Sequence, residues 1–311
     1  MTLRVHMIGE VMAELSPAPG QQFRFGYGGD VFNTIIHLKR LMGDTVDARL
    51  VTGLGSDIFS DGLRVLLSNE AISDAGLVID PTRNIGLYAI SLDTDGERSF
   101  TYWRGQSAAR TMMQSSAFPR DDIGGPGLIY LSGITLAILP ESDRNTLMDI
   151  LDSARKTGAT IAFDPNYRAR LWETPDTARH WMRRAYKIAD LIFTGTEDER
   201  LFDSTTSAQI IDTILDRHGP RDIIVTDGIN HVQAYINGIR ISVPTVDVVT
   251  VVDTTGAGDA FNAGFLSIYL RGGPPDEALR AANRLAAYLV TVRGAIPDAA
   301  EFKTHYHGQF S

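Results

Sequence analysis

Residues 253–265 read Asp253-Thr-Thr-Gly-Ala-Gly-Asp-Ala-Phe-Asn-Ala-Gly-Phe265, and no other segment of the chain constrains the fold as strongly. The apolar run Val248–Val252 before it indicates a strand, and the pattern after it indicates a helix with Phe261 and Phe265 on one face. The small residues Gly256, Ala257 and Gly258 let the backbone N–H groups approach a ligand closely. Because these groups lie at a helix N-terminus, they favour an anion.

Asp259 follows this glycine turn and would direct its carboxylate into the same space. Such an arrangement suits phosphoryl transfer to an alcohol, since the amides stabilise phosphate charge and the carboxylate accepts the hydroxyl proton. An ordinary loop whose acid complements the helix dipole would explain Asp259 and one glycine. It would not explain the second glycine together with the Asp253-Thr-Thr run, so phosphoryl transfer is the better interpretation.

On both sides of this segment, short β-branched runs alternate with longer helical patterns. The strand candidates extend from Val5–Ile8 to Ile239–Val243, and the helical patterns extend from Val31–Leu41 to Asp276–Arg293. Strand and helix in repeated alternation predict an α/β fold, a mostly parallel sheet with helices on both faces.

Two stretches depart from this alternation and predict a small additional β-sheet. Residues 84–104 contain two β-prone runs around the turn Asp93-Thr94-Asp95-Gly96, which indicates a hairpin. Residues 11–28 contain a second pair of strands around a turn rich in proline and glycine. We therefore expect residues 1–311 to form a single domain with a β-sheet lid built from about 11–28 and 84–104.

Composition narrows the classes of function. The 311 residues include 29 Lys+Arg and 38 Asp+Glu, a net charge of −9, which argues against nucleic-acid and anionic-membrane partners. The absence of cysteine excludes disulfides, thiolate metal sites and cysteine nucleophiles. No run approaches the roughly 20 apolar residues that span a bilayer, so we expect a cytoplasmic protein. The histidines show no metal-binding spacing, and we expect a frayed tail around His305.

The segment 253–265 resembles the C-terminal signature of the ribokinase-like (PfkB-type) carbohydrate kinases. Residues Gly28-Gly29-Asp30-Val31-Phe32-Asn33-Thr34, with Gly53-Leu54-Gly55-Ser56-Asp57, resemble the N-terminal signature, so the resemblance extends over essentially the whole chain. No Gly-x-x-x-x-Gly-Lys P-loop or His-Arg-Asp catalytic loop is present. The resemblance implies a ribokinase-like fold and a kinase that uses ATP and Mg²⁺.

Within that superfamily, further stretches are similar to kinases of 2-keto-3-deoxygluconate. They are Ile8–Leu15, Phe100–Arg104, Tyr130–Leu139 and Phe163–Trp172. This similarity implies transfer of phosphate from ATP to the terminal hydroxyl of the sugar acid, giving the 6-phosphate. Asp259 would be the catalytic base, and Gly256, Ala257 and Gly258 would form the anion hole.

The same similarity implies a set of residues that hold the sugar acid: Gly29, Asn33, Tyr88, Tyr102, Arg104 and Arg168. Arg168 follows a predicted strand end, where open α/β sheets bind ligands, and Arg104 closes the hairpin. Two guanidinium groups in one pocket could hold a carboxylate by forked hydrogen bonds. Without the motifs around it, each arginine alone fits a surface salt bridge better, and the tyrosines fit ordinary hairpin packing better.

The residues expected to contact ATP are Thr226, Gly228 and Asn283, in addition to Gly256 and Gly258. Asn283 could also be a solvated helix residue. Many family members have Asn-x-x-Glu near the magnesium, whereas this chain has Thr196-Glu-Asp-Glu199. We expect Glu199 to act on Mg²⁺ through water, since magnesium keeps much of its hydration.

Two alternatives remain at this point: another acceptor on the same scaffold, such as fructose, ribose or a nucleoside, and a non-catalytic sugar-sensing relative. Exposed edges of the lid sheet favour a homodimer. We also expect a positively charged pocket between the lid and Asp259, within an acidic surface.

Overall fold

The computed structural model describes residues 2–20, 22–92, 98–202, 206–219 and 221–310. The strands in chain order are β1 (Leu3–Ile8), β2 (Met12–Ala18), β3 (Gln22–Gly28), β4 (Val46–Leu54), β5 (Leu77–Ile79), β6 (Gly86–Leu92), β7 (Arg98–Trp103), β8 (Gly127–Ser132), β9 (Ala159–Asp164), β10 (Leu191–Gly195), β11 (Asp222–Thr226), β12 (Val232–Ile236) and β13 (Ile239–Val243). The helices are α1 (Asp30–Met42), α2 (Ile58–Asn69), α3 (Gly133–Ile138), α4 (Glu141–Lys156), α5 (Pro175–Ile188), α6 (Thr196–Glu199), α7 (Ser207–His218), α8 (Ala257–Tyr269), α9 (Pro275–Leu289) and α10 (Ala299–Phe310).

The main sheet has the strand order β13-β12-β11-β10-β9-β8-β1-β4-β5. Neighbours from β11 to β5 are parallel, and β12 and β13 add an antiparallel edge. Side chains of one strand alternate between two apolar cores, as Leu191 and Phe193 face one core and Ile192 faces the other. Helices α1, α8 and α9 cover the first core, and α4, α5 and α7 cover the second. The α/β prediction, with helices on both faces, is confirmed.

A second sheet, the small sheet, has the order β3-β2-β6-β7. Its strands fall within the two stretches expected to form it, and β2 pairs in parallel with β6 so that the two hairpins join. The predicted turn at Asp93–Gly96 lies outside the described residues. Closure of this sheet over a ligand stays a prediction.

Two local predictions are wrong. Val248–Val252 is not a strand: the N–H groups of Val252 and Asp253 donate to the carbonyl of Val290, at 2.8 and 3.2 Å, rather than to a neighbouring strand. The tail is not frayed, because residues 299–310 form α10 and bury Phe302 against Tyr288, with ring centroids 5.9 Å apart. Among the described residues, no helix is long and apolar enough to cross a membrane.

Candidate active site

A cavity of about 410 Å³ lies where the carboxyl ends of the central strands, the start of α8 and the small sheet meet. Parallel strands place their C-terminal residues at one edge of a sheet, so the loop after β9, the helix α6 after β10 and the last residue of β11 all reach this cavity. Most of the residues expected from sequence line it: Gly29, Asn33, Tyr88, Tyr102, Arg104, Arg168, Thr226, Gly256, Ala257, Gly258 and Asp259. Gly228, Asn283 and Glu199 do not line it.

The turn before α8 has the conformation that its glycines allow. Gly256 has φ +76°, in the left-handed region, and a Cβ there would lie 2.7 Å from the Cβ of Ala295. At Gly258 a Cβ would meet nothing within 4 Å, so this residue faces open space. Helix α8 begins at Ala257 without a side-chain cap. Because Gly256, Ala257 and Gly258 line the cavity, this uncapped helix start can bind an anion there.

The loop 293–298 supports this turn from behind. Asp253 accepts hydrogen bonds from the N–H groups of Thr255, at 2.9 Å, and Gly294, at 2.8 Å. His37 on α1 is fully buried, and its Nε2 lies 2.8 Å from the carbonyl oxygen of Ala295. Burial lowers the pKa of His37 to about 4, so it is neutral at pH 7 and donates this hydrogen bond. The glycine turn is thus held by both α1 and the loop.

Asp259 lies in the first turn of α8, at the bottom of the cavity. Its Oδ2 accepts a hydrogen bond of 2.8 Å from Nδ2 of Asn33, on α1. Helix α1 can approach because Gly29, before it, has no Cβ; one would lie 2.4 Å from the carbonyl oxygen of Glu10. Burial raises the pKa of Asp259 well above its ordinary value, and the charges of Asp30 and Asp164 add to this. The carboxylate is therefore a stronger proton acceptor than an exposed aspartate.

A network of amides and carboxyls beside Asp259 was missed at the sequence level. Asn166 donates to Asp30 at 2.8 Å, and Asn262 donates to Asp164 at 2.8 Å. The sequence could have pointed to these residues, because each lies in a motif quoted above. Asp30 directly follows Gly29, Asn166 comes two residues after Asp164, and Asn262 lies in the segment 253–265. The network fixes α1, the β9 end and α8 relative to one another.

The three arginines of the cavity differ in what they contact. Arg104 is buried and its guanidinium is paired with the buried carboxylate of Glu10, so its charge is already balanced. Arg168 is exposed. Arg170, which sequence reasoning did not select, lies with its guanidinium carbon 4.1 Å from the ring centroid of Tyr102 on the small sheet. Arg168 and Arg170 are therefore the cations available to a ligand.

The two expected tyrosines form an aromatic wall on the small sheet. Tyr88 and Tyr102 face each other across β6 and β7, with stacked rings 5.7 Å apart. The hydroxyl of Tyr88 donates to Glu14, and burial raises its pKa. This wall gives the cavity an apolar face beside its charged one.

The expectation of a positively charged pocket is wrong. Among the described residues, the cavity is lined by three arginines and five carboxyl groups: Asp30, Asp164, Glu197, Asp198 and Asp259. Burial and neighbouring acids raise the pKa of Asp164 to about 7, and that of Asp259 is raised as well, so part of the negative charge is absent at neutral pH. Arg104 and Arg170 lie beside Tyr102 of the small sheet, whereas Arg168 lies close enough to Asp198 and Asp259 for its charge to lower the pKa of both.

The remaining expected nucleotide and metal residues lie apart from the cavity. Asn283 is buried in α9 and donates to the carbonyl of Pro244 at 2.9 Å, and Gly228 is in the turn after β11. Glu199 is buried, where it accepts hydrogen bonds from Tyr186 and Thr194. Within the described ranges, no cluster of three or more His, Cys, Asp or Glu side chains could hold a metal ion.

The family model of the "pfkB family carbohydrate kinase" matches residues 3–301 of the chain. The chain belongs to the PfkB family of carbohydrate kinases. It is therefore a sugar kinase, and the ribokinase-like resemblance of its two signatures is confirmed.

Relatives of this PfkB kinase carry more than one activity in their names. A 2-dehydro-3-deoxygluconokinase of Haemophilus influenzae is 34% identical over 315 residues, which cover 99% of each chain. A fructokinase of Klebsiella pneumoniae is 30% identical over 304 residues, covering 97% of this chain and 95% of the relative. The crystal structure of a PfkB protein from Polaromonas sp. JS666 is similar with a TM-score of 0.84 at 26% identity, covering 97% of this chain and 99% of that one.

The raised pKa of Asp164 predicts how the stability of this PfkB kinase depends on pH. An aspartate in the unfolded chain has a pKa of about 3.9, whereas that of folded Asp164 is about 7. Between these values the folded state holds a proton that the unfolded state has lost. The free energy of unfolding therefore falls as pH rises through this window.

In Asp164→Asn this contribution is absent, so the melting temperature of the ligand-free protein will fall less between about pH 4 and 7. Thermal unfolding followed by circular dichroism measures it, with Asp74→Asn, at an exposed position, as the control. Equal slopes in wild type and Asp164→Asn would contradict the assignment.

Proposed function

We propose that this kinase transfers the γ-phosphoryl group of ATP to the terminal hydroxyl of 2-keto-3-deoxy-D-gluconate, giving the 6-phosphate. One observation carries the proposal: Asp259, fixed by Asn33 at the start of α8, shares its cavity with the glycine turn and with Arg168 and Arg170. A proton acceptor, an anion site and cations for a sugar acid thus face one space. The name of the Haemophilus influenzae relative supports this acceptor.

The roles follow from position. Asp259 accepts the proton of the attacking hydroxyl, and the N–H groups at Gly256, Ala257 and Gly258 stabilise charge on the transferred phosphate. Arg168 and Arg170 bind the carboxylate of the sugar acid, which lies against the rings of Tyr88 and Tyr102. The small sheet, acting as a lid, would exclude water that competes for the phosphoryl group.

ATP fits the same cavity through its phosphates. Thr226 lines it together with the glycine turn, and its hydroxyl donates to the carbonyl of Thr194 at 3.3 Å, which joins the ends of β11 and β10. When bound with ATP, Mg²⁺ would offset phosphate charge. The carboxylates of α6 that reach the cavity are Glu197 and Asp198, not the buried Glu199, and they suit an ion that keeps much of its water.

The variant Arg168→Ala tests whether the acceptor sugar carries a carboxylate. Loss of a hydrogen bond to a charged group, worth about 1.5–3 kcal/mol, will lower kcat/KM for 2-keto-3-deoxygluconate roughly 10- to 100-fold. Activity on fructose, which has no carboxylate, will change little. The measurement is coupled ADP release with both sugars, and Arg64→Ala, far from the cavity, is the matched control. A parallel loss on both sugars would contradict a role for Arg168 in binding the carboxylate.

A fructokinase is the second candidate, and the charge of the cavity favours it. The cavity has more carboxyl groups than arginines, and Arg104 is already paired with Glu10. An uncharged acceptor would meet less repulsion there. ADP release across a panel of sugars decides between the two, and wild-type preference for fructose would overturn the sugar-acid proposal. No turnover with any sugar would instead support a sensing protein.

We propose a cytoplasmic homodimer that pairs through the small sheet. Phe23, Phe25 and Trp103 are exposed on it at 60, 45 and 58%. Apolar side chains at this exposure favour contact with a second copy. Light scattering of the wild type and of Trp103→Glu would report the oligomeric state.

A further inference from the structure

A second charged surface lies on the helical layer formed by α5 and α7. This basic groove, of about 640 Å³, is lined by Arg179, His180, Arg183, Arg184, Lys187, Arg217 and His218, with the carboxylate of Asp176. No residue of the groove lines the active-site cavity. On a chain with 38 acids and 29 cations, five arginines and lysines beside one described acid are a strong local inversion of charge.

The cations of the groove repel one another. Arg179, Arg183 and Lys187 follow at intervals of four residues on α5, an arrangement that costs a few tenths of a kcal/mol for each like-charged pair. Arg179 is paired with Asp176, whose side chain is 92% exposed. In the part of the chain that the structure describes, Arg183, Lys187 and Arg217 form no salt bridge. The charge of Arg217 acts on the buried carboxyl of Glu199, and the guanidinium carbon of Arg183 lies 5.7 Å from the ring centroid of Phe202, so this repulsion is only partly compensated.

The pKa of His218 is lowered by the same positive charges. Burial, together with the charges of Arg221, Arg217, Arg183 and Lys187, lowers the pKa of His218 to about 4. His218 is therefore neutral at pH 7, and the positive charge around it comes from the arginines and Lys187.

The helix dipoles of α5 and α7 account for only some of the cations in the groove. Cations stabilise the C-terminal turn of a helix, and Lys187 and Arg217 lie in the last turns of α5 and α7. Arg179 and Arg183 lie further from the end of α5, where the dipole no longer favours a cation. Asp176 balances Arg179 and is the one acid among the described residues that line the groove, so Arg183 has no carboxylate of its own there.

We propose that the basic groove binds a compound that carries several phosphate groups, at a site separate from the active-site cavity. One guanidinium group can donate two parallel hydrogen bonds to the oxygens of one phosphate. A row of arginines can therefore bind the successive phosphates of a polyphosphate chain. A compact anion feels mainly the local charge, whereas a long polyanion would also meet the acidic remainder of the surface. The groove therefore favours a small polyphosphate compound over a nucleic acid.

Lysine acetylation with a limiting reagent, read by peptide mass spectrometry, tests the proposal with inorganic tripolyphosphate as the probe. Lys187 lies in the groove, and Lys156, 74% exposed on the neighbouring α4, is an internal control. At about ten times the dissociation constant, tripolyphosphate will slow acetylation of Lys187 by about tenfold and leave Lys156 unchanged. An equal change at both lysines would overturn the proposal.

The variant Arg183→Ala/Arg217→Ala will lose this protection but keep wild-type sugar-kinase turnover, which shows that it folds. The matched variant Arg64→Ala/Arg155→Ala, which removes two arginines elsewhere, will keep the protection. Protection that survives in the groove variant would refute the site. ADP in place of tripolyphosphate shows whether the phosphates belong to a nucleotide. The stated ligand class would be overturned if orthophosphate protected Lys187 as well as tripolyphosphate does. It would also be overturned if duplex DNA protected Lys187 and tripolyphosphate did not.

Discussion

Replacing Asp259 with Asn will lower kcat of the sugar kinase by about 10³-fold, the scale of a lost general base. The substitution keeps the shape of the side chain, and the new amide oxygen can still accept the hydrogen bond that Asn33 donates to Asp259 at 2.8 Å. It removes the group that accepts the hydroxyl proton. Steady-state ADP release at saturating ATP and sugar measures kcat, and calorimetry checks that the variant binds both ligands.

Asp164→Asn is the matched control, since it removes a second carboxyl of the same cavity that lies at the end of β9 instead of the start of α8. It will lose much less of kcat. The pH profile adds a second readout. Because the base must be ionised, wild-type kcat/KM will fall as pH decreases through the raised pKa of Asp259, and this limb will be absent in Asp259→Asn. Near-normal turnover of Asp259→Asn would refute its role as base.

The fold was predictable from sequence because its signals are local. Parallel strands buried on both faces are continuous, mostly apolar runs, such as Leu191–Thr194. The glycine turn needs residues without a bulky side chain, which few other structures need. Val248–Val252 is also rich in β-branched residues, but the N–H of Val252 donates to the carbonyl of Val290 at the C-terminal end of α9 and not to a strand. Periodicity alone does not tell these two cases apart.

The cavity was only partly predictable, because its contacts join residues far apart in the chain. Glu10 neutralises Arg104 and Asp30 meets Asn166, pairings that the fold creates and no spacing reveals. The sequence also shows a residue's type but not its depth. Glu199 lies in a segment similar to the family's magnesium motif, yet it is buried and accepts hydrogen bonds from Tyr186 and Thr194. Local charge therefore had to be read from the structure, where it contradicts the expected positive pocket.

Gly256→Ala will lower kcat by about 10²-fold, comparable to loss of one oxyanion donor. The new Cβ would lie 2.7 Å from the Cβ of Ala295, which is held by the hydrogen bond from His37 to its carbonyl oxygen. The loop cannot retreat easily, so the turn must shift and its N–H groups leave their positions. The left-handed φ of +76° adds backbone strain.

Gly272→Ala separates these two effects. Gly272 has φ +71°, nearly the same as Gly256, but a Cβ there meets nothing within 4 Å, and the residue does not line the cavity. It will lose only the stability that the strained backbone costs, about 1 kcal/mol, and keep wild-type kcat. Thermal unfolding and ADP release on both variants measure the difference. If Gly256→Ala lost stability alone, as Gly272→Ala will, the glycine turn would be a structural element and the anion would have to bind elsewhere.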